Sequence, residues 1–101
     1  MVLEKFFYPK SIAAIGVSNK IGKVGYTLLR KLERFHGKKY FINAEGYRIG
    51  NIQTFRSLNN IKEKIDLLII ATPAVLVKQV ILDAAKKKIK NIIIISAGFS
   101  E

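Results

Sequence analysis

Apolar runs alternate along this chain with amphipathic segments, and that alternation predicts the elements. Residues 11–17 (Ser-Ile-Ala-Ala-Ile-Gly-Val) are apolar on both faces, the pattern of a strand buried inside a sheet. Residues 23–35 read as a helix, with Val24, Leu28, Leu32 and Phe35 on one stripe at spacings of four and three. Lys39–Asn43 reads as a second strand. Residues 44–60 are polar and irregular, with Gly46, Gly50, Asn51, Asn59 and Asn60, and a short strand near Gln53–Phe55. Asp66–Ala71 is a third strand. Thr72-Pro73 then opens a helix, Thr72 as its cap and Pro73 at its first position. That helix runs to about Lys88, with Val77, Val80, Ile81 and Ala84 facing inward. Asn91–Ser96 is the last strand, and Ala97-Gly98-Phe99 begins a loop.

Strands separated by helices of this length imply βαβ units and a parallel sheet. The expected fold class is α/β: a doubly wound parallel sheet of four to five strands with helices on both faces. Residues 1–101 are expected to form a single domain, and the sequence shows no repeats, linkers or low-complexity stretches. Such sheets bind ligands beyond the carboxyl ends of their strands, where strand order reverses. The loops at 16–25, 43–46, 71–75 and 96–99 therefore become candidates together.

Composition narrows the setting. The chain is 50% hydrophobic, enough for a core. Its longest apolar runs, Leu67–Ala71 and Ile92–Ile95, fall far short of the roughly 18–20 residues that span a bilayer. Glu4, Lys5 and Pro9-Lys10 break any signal-peptide pattern. With no cysteine, neither disulfides nor thiolate metal sites are available. A cytoplasmic location and no membrane partner are expected. Charge is lopsided: 18 Lys+Arg against 7 Asp+Glu, a net +11, which favours polyanionic ligands. The one tight basic cluster, Lys86-Lys-Lys88 with Lys90, reads as a solvated helix end at the negative pole of the helix dipole.

The chemistry-bearing residues gather after the first strand. A helix start leaves backbone N–H groups unpaired and carries partial positive charge, so it suits a pyrophosphate. Gly16 lets the backbone approach a ligand closely. Ser18 and Asn19 can hydrogen-bond phosphate oxygens or cap the turn, and Lys20 and Lys23 can supply charge. Gly22 and Gly25 allow a tight turn and close packing of helix on strand. Only this Gly22-x-x-Gly25 tail of the G-x-G-x-x-G fingerprint is present, and the glycines could serve the turn alone. Asn43 ends the second strand, where a ribose sits in dinucleotide folds; Glu45 lies near the position of an acidic ribose ligand, or is a solvated loop acid. Thr72-Pro73-Ala74 and Ser96-Ala97-Gly98 end the other two strands and can present N–H groups or small side chains. No catalytic constellation or metal cluster can be argued. His36, the only histidine, falls at a helix end away from the ligand edge. The aromatic cluster Phe6-Phe7-Tyr8-Pro9 is expected to pack on the sheet edge, with nucleic-acid stacking the lesser reading.

Four segments carry a resemblance: Phe6–Gly16, Gly22-Lys-Val24-Gly25, Asp66–Ala74 and Ile94–Glu101. In order and spacing they resemble the CoA-binding domain of NDP-forming acyl-CoA synthetases, which include ADP-forming acetyl-CoA synthetase and the succinyl-CoA synthetase alpha subunit. The resemblance implies a Rossmann-like domain gripping the ADP portion and pantetheine arm of CoA. It places phosphates on Ser18–Gly25, the nucleotide pocket at Thr72-Pro73-Ala74 and the pantetheine path at Ser96-Ala97-Gly98. Two departures stand out. The family carries Asn-Pro-Lys after its second strand, its lysine facing the CoA phosphates; here the text is Asn43-Ala44-Glu45. Glu45 favours an NAD-like alternative, while Lys20, Lys23 or Arg48 could replace the missing cation. The family's phosphorylated histidine lies in a later domain, so the chain resembles an N-terminal piece of a longer protein or a short relative. The last strand is then an exposed edge that invites pairing between chains.

The expected function is a CoA-binding module of a synthetase, not catalytic alone, partnered by the other domains or subunits of that enzyme. An NAD(H)-binding regulatory module and a ligand-free basic interaction domain are the rivals.

Overall fold

The computed structural model describes residues 2–95. Four strands, β1 (Ser11–Ile15), β2 (Lys38–Ile42), β3 (Leu67–Ile70) and β4 (Ile92–Ile94), form one parallel sheet in the order β2-β1-β3-β4. β1 is central, pairing Ser11–Ile15 with Lys38–Ile42 on one side and Ile12–Ile15 with Leu67–Ile70 on the other. The helices are α1 (Val2–Phe7), α2 (Val24–Leu32) and α3 (Ala74–Lys86). Ser96, Ala97 and Gly98, and the expected end of the last strand, lie outside the described residues.

Side chains alternate across the sheet, so each strand feeds two cores. Ile12, Ala14, Leu67 and Ile69 pack with Leu28, Leu29 and Leu32 of α2. Ala13, Ile42, Leu68 and Ile70 pack with Val80 and Ala84 of α3. Helices therefore cover both faces, as the buried pattern of residues 11–17 implies. The short side chains of Ala13 and Ala14, both fully buried, let the two helices approach the central strand.

The structure shortens or shifts several expected elements. β1 stops at Ile15, because Gly16 turns the chain with φ +97. α2 ends at Leu32, and its fully buried residue is Leu29, outside the expected stripe; Val24 and Phe35 are only partly buried. The expected strand at Gln53–Phe55 is a single parallel bridge, Ile42↔Phe55. α3 starts at Ala74 with Pro73 as its cap residue, not with Thr72 as cap and Pro73 inside. Ile81 does not face inward: it is 39% exposed, beside β4 at the sheet edge, where no described element covers it. Of the aromatic cluster only Phe6 packs, on the α2-side core, as the last turn of α1; Phe7 and Tyr8 are 65% and 79% exposed.

The amino ends of the strands are pinned by one buried acid. Asp66 Oδ2 accepts from the Lys10 N–H at 2.8 Å, and the Lys5 ammonium lies 3.9 Å away. The Ser11 hydroxyl donates to the Lys64 carbonyl and accepts from the Asp66 N–H, while Asn91 Nδ2 donates to the Asp66 carbonyl. This network ties β1, β3 and β4 together at the end opposite the candidate loops. At the far end of α3, Lys88 takes φ 61, and the N–H groups of Lys88 and Ile89 bond back to Ala85 and Ala84. That is the two-bond helix stop usually made by glycine, with Ile89 buried beneath it.

Candidate functional site

Strand order reverses between β1 and β3, and the loops leaving these strands meet there. Their backbones are in contact. A Cβ on Gly25 would sit 2.0 Å from the Gly16 carbonyl oxygen, and one on Gly16 would sit 2.7 Å from the Ala71 carbonyl carbon. The floor of the crevice is therefore main chain.

Two adjoining hollows of about 280 and 410 Å³ open above this floor. Both are bordered by Gly16, Ser18, Glu45, Ala71 and Pro73. The smaller adds Lys20, Lys23, Val24, Gly25 and Tyr47. The larger adds Asn43, Arg56, Ser57, Thr72, Gln79 and Asp83, among others. α2 points its start into the smaller hollow. No side chain caps that start, and its first N–H groups have no carbonyl one turn back within the helix. Pro73 likewise gives α3 no side-chain cap.

Two side chains shape the loops. Ser18 Oγ accepts from the Lys20 N–H at 3.0 Å, fixing the turn before α2. Asn43 Nδ2 donates to the Val17 carbonyl at 2.7 Å, and its Oδ1 accepts from the Glu45 N–H at 2.8 Å. One end of the Asn43 amide thus holds loop to loop and the other fixes its own turn, with Glu45 exposed at the border of the two hollows.

Thr72 departs from ordinary satisfaction. It is 7% exposed, and its Oγ1 is buried without a hydrogen-bond partner among the described residues. An orphaned buried hydroxyl costs about 1–3 kcal/mol, so a ligand oxygen that reached it would recover that deficit.

Of the sequence candidates, the structure brings together Gly16, Ser18, Lys20, Lys23, Val24, Gly25, Asn43, Glu45, Thr72 and Pro73. Asn19 and Gly22 are exposed on the loop outside both hollows. Ala74 lines a separate apolar hollow with Ile81, Leu82 and Ile94. Arg48 is held in its own turn by Gln53 and Asn51 and lines neither hollow, so it supplies no cation there. Arg56, Ser57, Gln79 and Asp83 join the larger hollow without a motif of their own in the sequence. Gln79 and Asp83 share the face of α3 that carries Leu76 and Val80, a spacing that was available to read. Arg56 follows Phe55, whose N–H and carbonyl bond to β2 and its end, and no periodicity announces that pairing.

Among the described residues, no group of three or more His, Cys, Asp or Glu could hold a metal ion, and no helix is long and apolar enough to cross a membrane. The fit to a nucleotide diphosphate is good in kind: unpaired N–H groups, two lysines and an orphaned hydroxyl surround one crevice.

Comparison with known proteins agrees with this geometry. The CoA binding domain family matches residues 10–101. An ADP-forming acetate–CoA ligase of Methanocaldococcus jannaschii is 41% identical over 99 residues, covering 98% of this chain and 14% of the relative. The alpha subunit of acetate–CoA ligase II of Pyrococcus furiosus is 36% identical over 101 residues, covering 99% of this chain and 22% of the relative. Among solved structures, acetyl-coenzyme A synthetase 1 of Ca. Korarchaeum cryptofilum, in complex with phosphate and ADP, superposes with a TM-score of 0.88 at 32% identity, over 98% of this chain and 22% of that one. The chain thus spans between a seventh and a quarter of the length of these relatives. These matches support CoA and lend nothing to the NAD alternative. Sheet order, crevice and sequence match converge, and the chain belongs to the CoA binding domain family.

Proposed function

We propose that this chain holds the ADP portion and pantetheine arm of CoA within an NDP-forming acyl-CoA synthetase. One observation carries the reading: the uncapped start of α2 opens onto the crevice between β1 and β3, flanked by Lys20 and Lys23. The N–H groups of Val24 and Gly25 and the two ammonium groups receive the diphosphate. Ser18 sets the turn that aims them, Asn43 locks the neighbouring loop, and the Thr72 hydroxyl donates to a ligand oxygen. Ser96, Ala97 and Gly98 are assigned to the pantetheine path. The chain contributes binding and orientation, and the acyl chemistry, routed through a phosphohistidine, belongs to other domains or subunits. A single domain and a cytoplasmic setting are part of this reading.

Calorimetry of the chain with CoA and with desulfo-CoA tests it. Heat with both is expected, since the thiol takes no part in the grip. No heat at millimolar ligand overturns the reading. Glu45→Lys should tighten CoA, because it replaces an anion at the phosphate crevice by a cation.

We also propose that copies pair through β4. Among the described residues it is one edge of the sheet, and Ile93 and Ile94 are 36% and 41% exposed on it. Sedimentation should show a dimer that Ile93→Lys dissociates; a wild-type monomer at high concentration would remove this part.

A further inference from the structure

We infer that Arg56 is the specificity-determining residue of the crevice, and that it binds a phosphomonoester set apart from the diphosphate, such as the 3′-phosphate of the CoA adenosine. The inference rests on the CoA reading and adds a residue and a chemical distinction to it.

The two hollows have different cations. Lys20 and Lys23 border the smaller one, with the start of α2. Neither borders the larger one, where Arg56 is the only lining cation among the described residues. Two carboxylates, Glu45 and Asp83, line that same hollow. A phosphate there is repelled by both unless Arg56 answers it.

Arg56 is free to do so. Its guanidinium makes no hydrogen bond or ion pair among the described residues, unlike Arg30, paired with Glu33, and Arg48, held by Gln53 and Asn51. Its stem is nevertheless seated. The side chain lies across Gly46, where a Cβ would fall 2.6 Å from Cγ and 2.9 Å from Nε of Arg56. Gly46 has φ +68 and closes its turn by donating to the Asn43 carbonyl at 2.9 Å. The turn that displays Glu45 thus also provides the bed for Arg56. A planar guanidinium fork suits a terminal phosphate, which offers two oxygens side by side. The 410 Å³ hollow has room for such a group beside a ribose.

Calorimetry with CoA and 3′-dephospho-CoA tests the inference on the wild-type chain, Arg56→Gln and Arg48→Gln. Wild type should bind CoA at least about tenfold more tightly than dephospho-CoA, the scale of one charge-assisted hydrogen-bonded pair. Arg56→Gln should abolish the preference by weakening CoA alone, with an unchanged melting temperature because the residue is exposed and unpaired. Arg48→Gln should keep the preference, which separates a local contact from a general loss of positive charge. Equal binding of both ligands by wild type, or equal weakening of both by Arg56→Gln, overturns the inference and leaves the CoA reading standing. Failure of wild type to bind either ligand removes both.

Discussion

At the residue scale, the crevice depends on atoms that are missing or unpaired. Gly25 has no Cβ, so the start of α2 rests on the Gly16 carbonyl. Gly25→Ala would force that helix outward, since a Cβ cannot sit 2.0 Å from an oxygen. Overpacking of this kind costs about 1–3 kcal/mol, and backbone cannot yield as a side chain can. We expect a loss at the upper end of that range in urea unfolding, together with weaker CoA binding. Thr72 gives the opposite pairing of effects. Thr72→Val keeps the shape and removes the orphaned hydroxyl, so the ligand-free chain should gain about 1 kcal/mol. The same change should weaken CoA. A variant that is stabilised and binds CoA as well as wild type would show that the hydroxyl serves no ligand.

At the scale of elements, each helix is held by a few buried side chains. Leu29 is fully buried between α2 and the sheet, so Leu29→Ala should cost about 2–5 kcal/mol and disturb the crevice with it. β2 adds a pH dependence. Tyr40 is half-buried, and that burial, reinforced by the charge of Glu63, holds its phenol above its ordinary range. The folded chain thus favours the neutral phenol. This contribution is complete below the unfolded pKa and is lost as pH rises through the folded one. Alkaline melting should therefore be less steep in Tyr40→Phe, and an identical alkaline limb would contradict the assignment. The helices and strands were legible because burial on two faces writes continuous apolar runs, as at residues 11–17, and burial on one face writes a stripe, as at Leu28 and Leu32. Their ends were less legible. Ile81 continues the stripe of α3, yet lies over a sheet edge that a sequence pattern cannot locate. The candidate loop before α2 was readable from its glycines and lysines. Arg56 was not, because a single bridge between Phe55 and Ile42 carries it to the crevice.

At the scale of the whole molecule, the sheet keeps its fastening network and its candidate site at opposite ends. Asp66 and its partners fasten the amino ends of three strands, while the carboxyl ends keep helix starts without a side-chain cap and, among the described residues, an unpaired hydroxyl. Asp66→Ala should therefore lower the melting temperature while leaving ligand selectivity intact. The net charge of +11 should make CoA binding weaken with added salt, since part of the attraction acts at long range. In the proposed function, the diphosphate of CoA sits where α2 begins. Amide nuclear magnetic resonance during a CoA titration tests it most directly. The largest shifts should fall on Gly16 to Gly25 and on Thr72. Shifts concentrated instead around Lys64, Asp66 and Lys90, at the opposite end of the sheet, would contradict it.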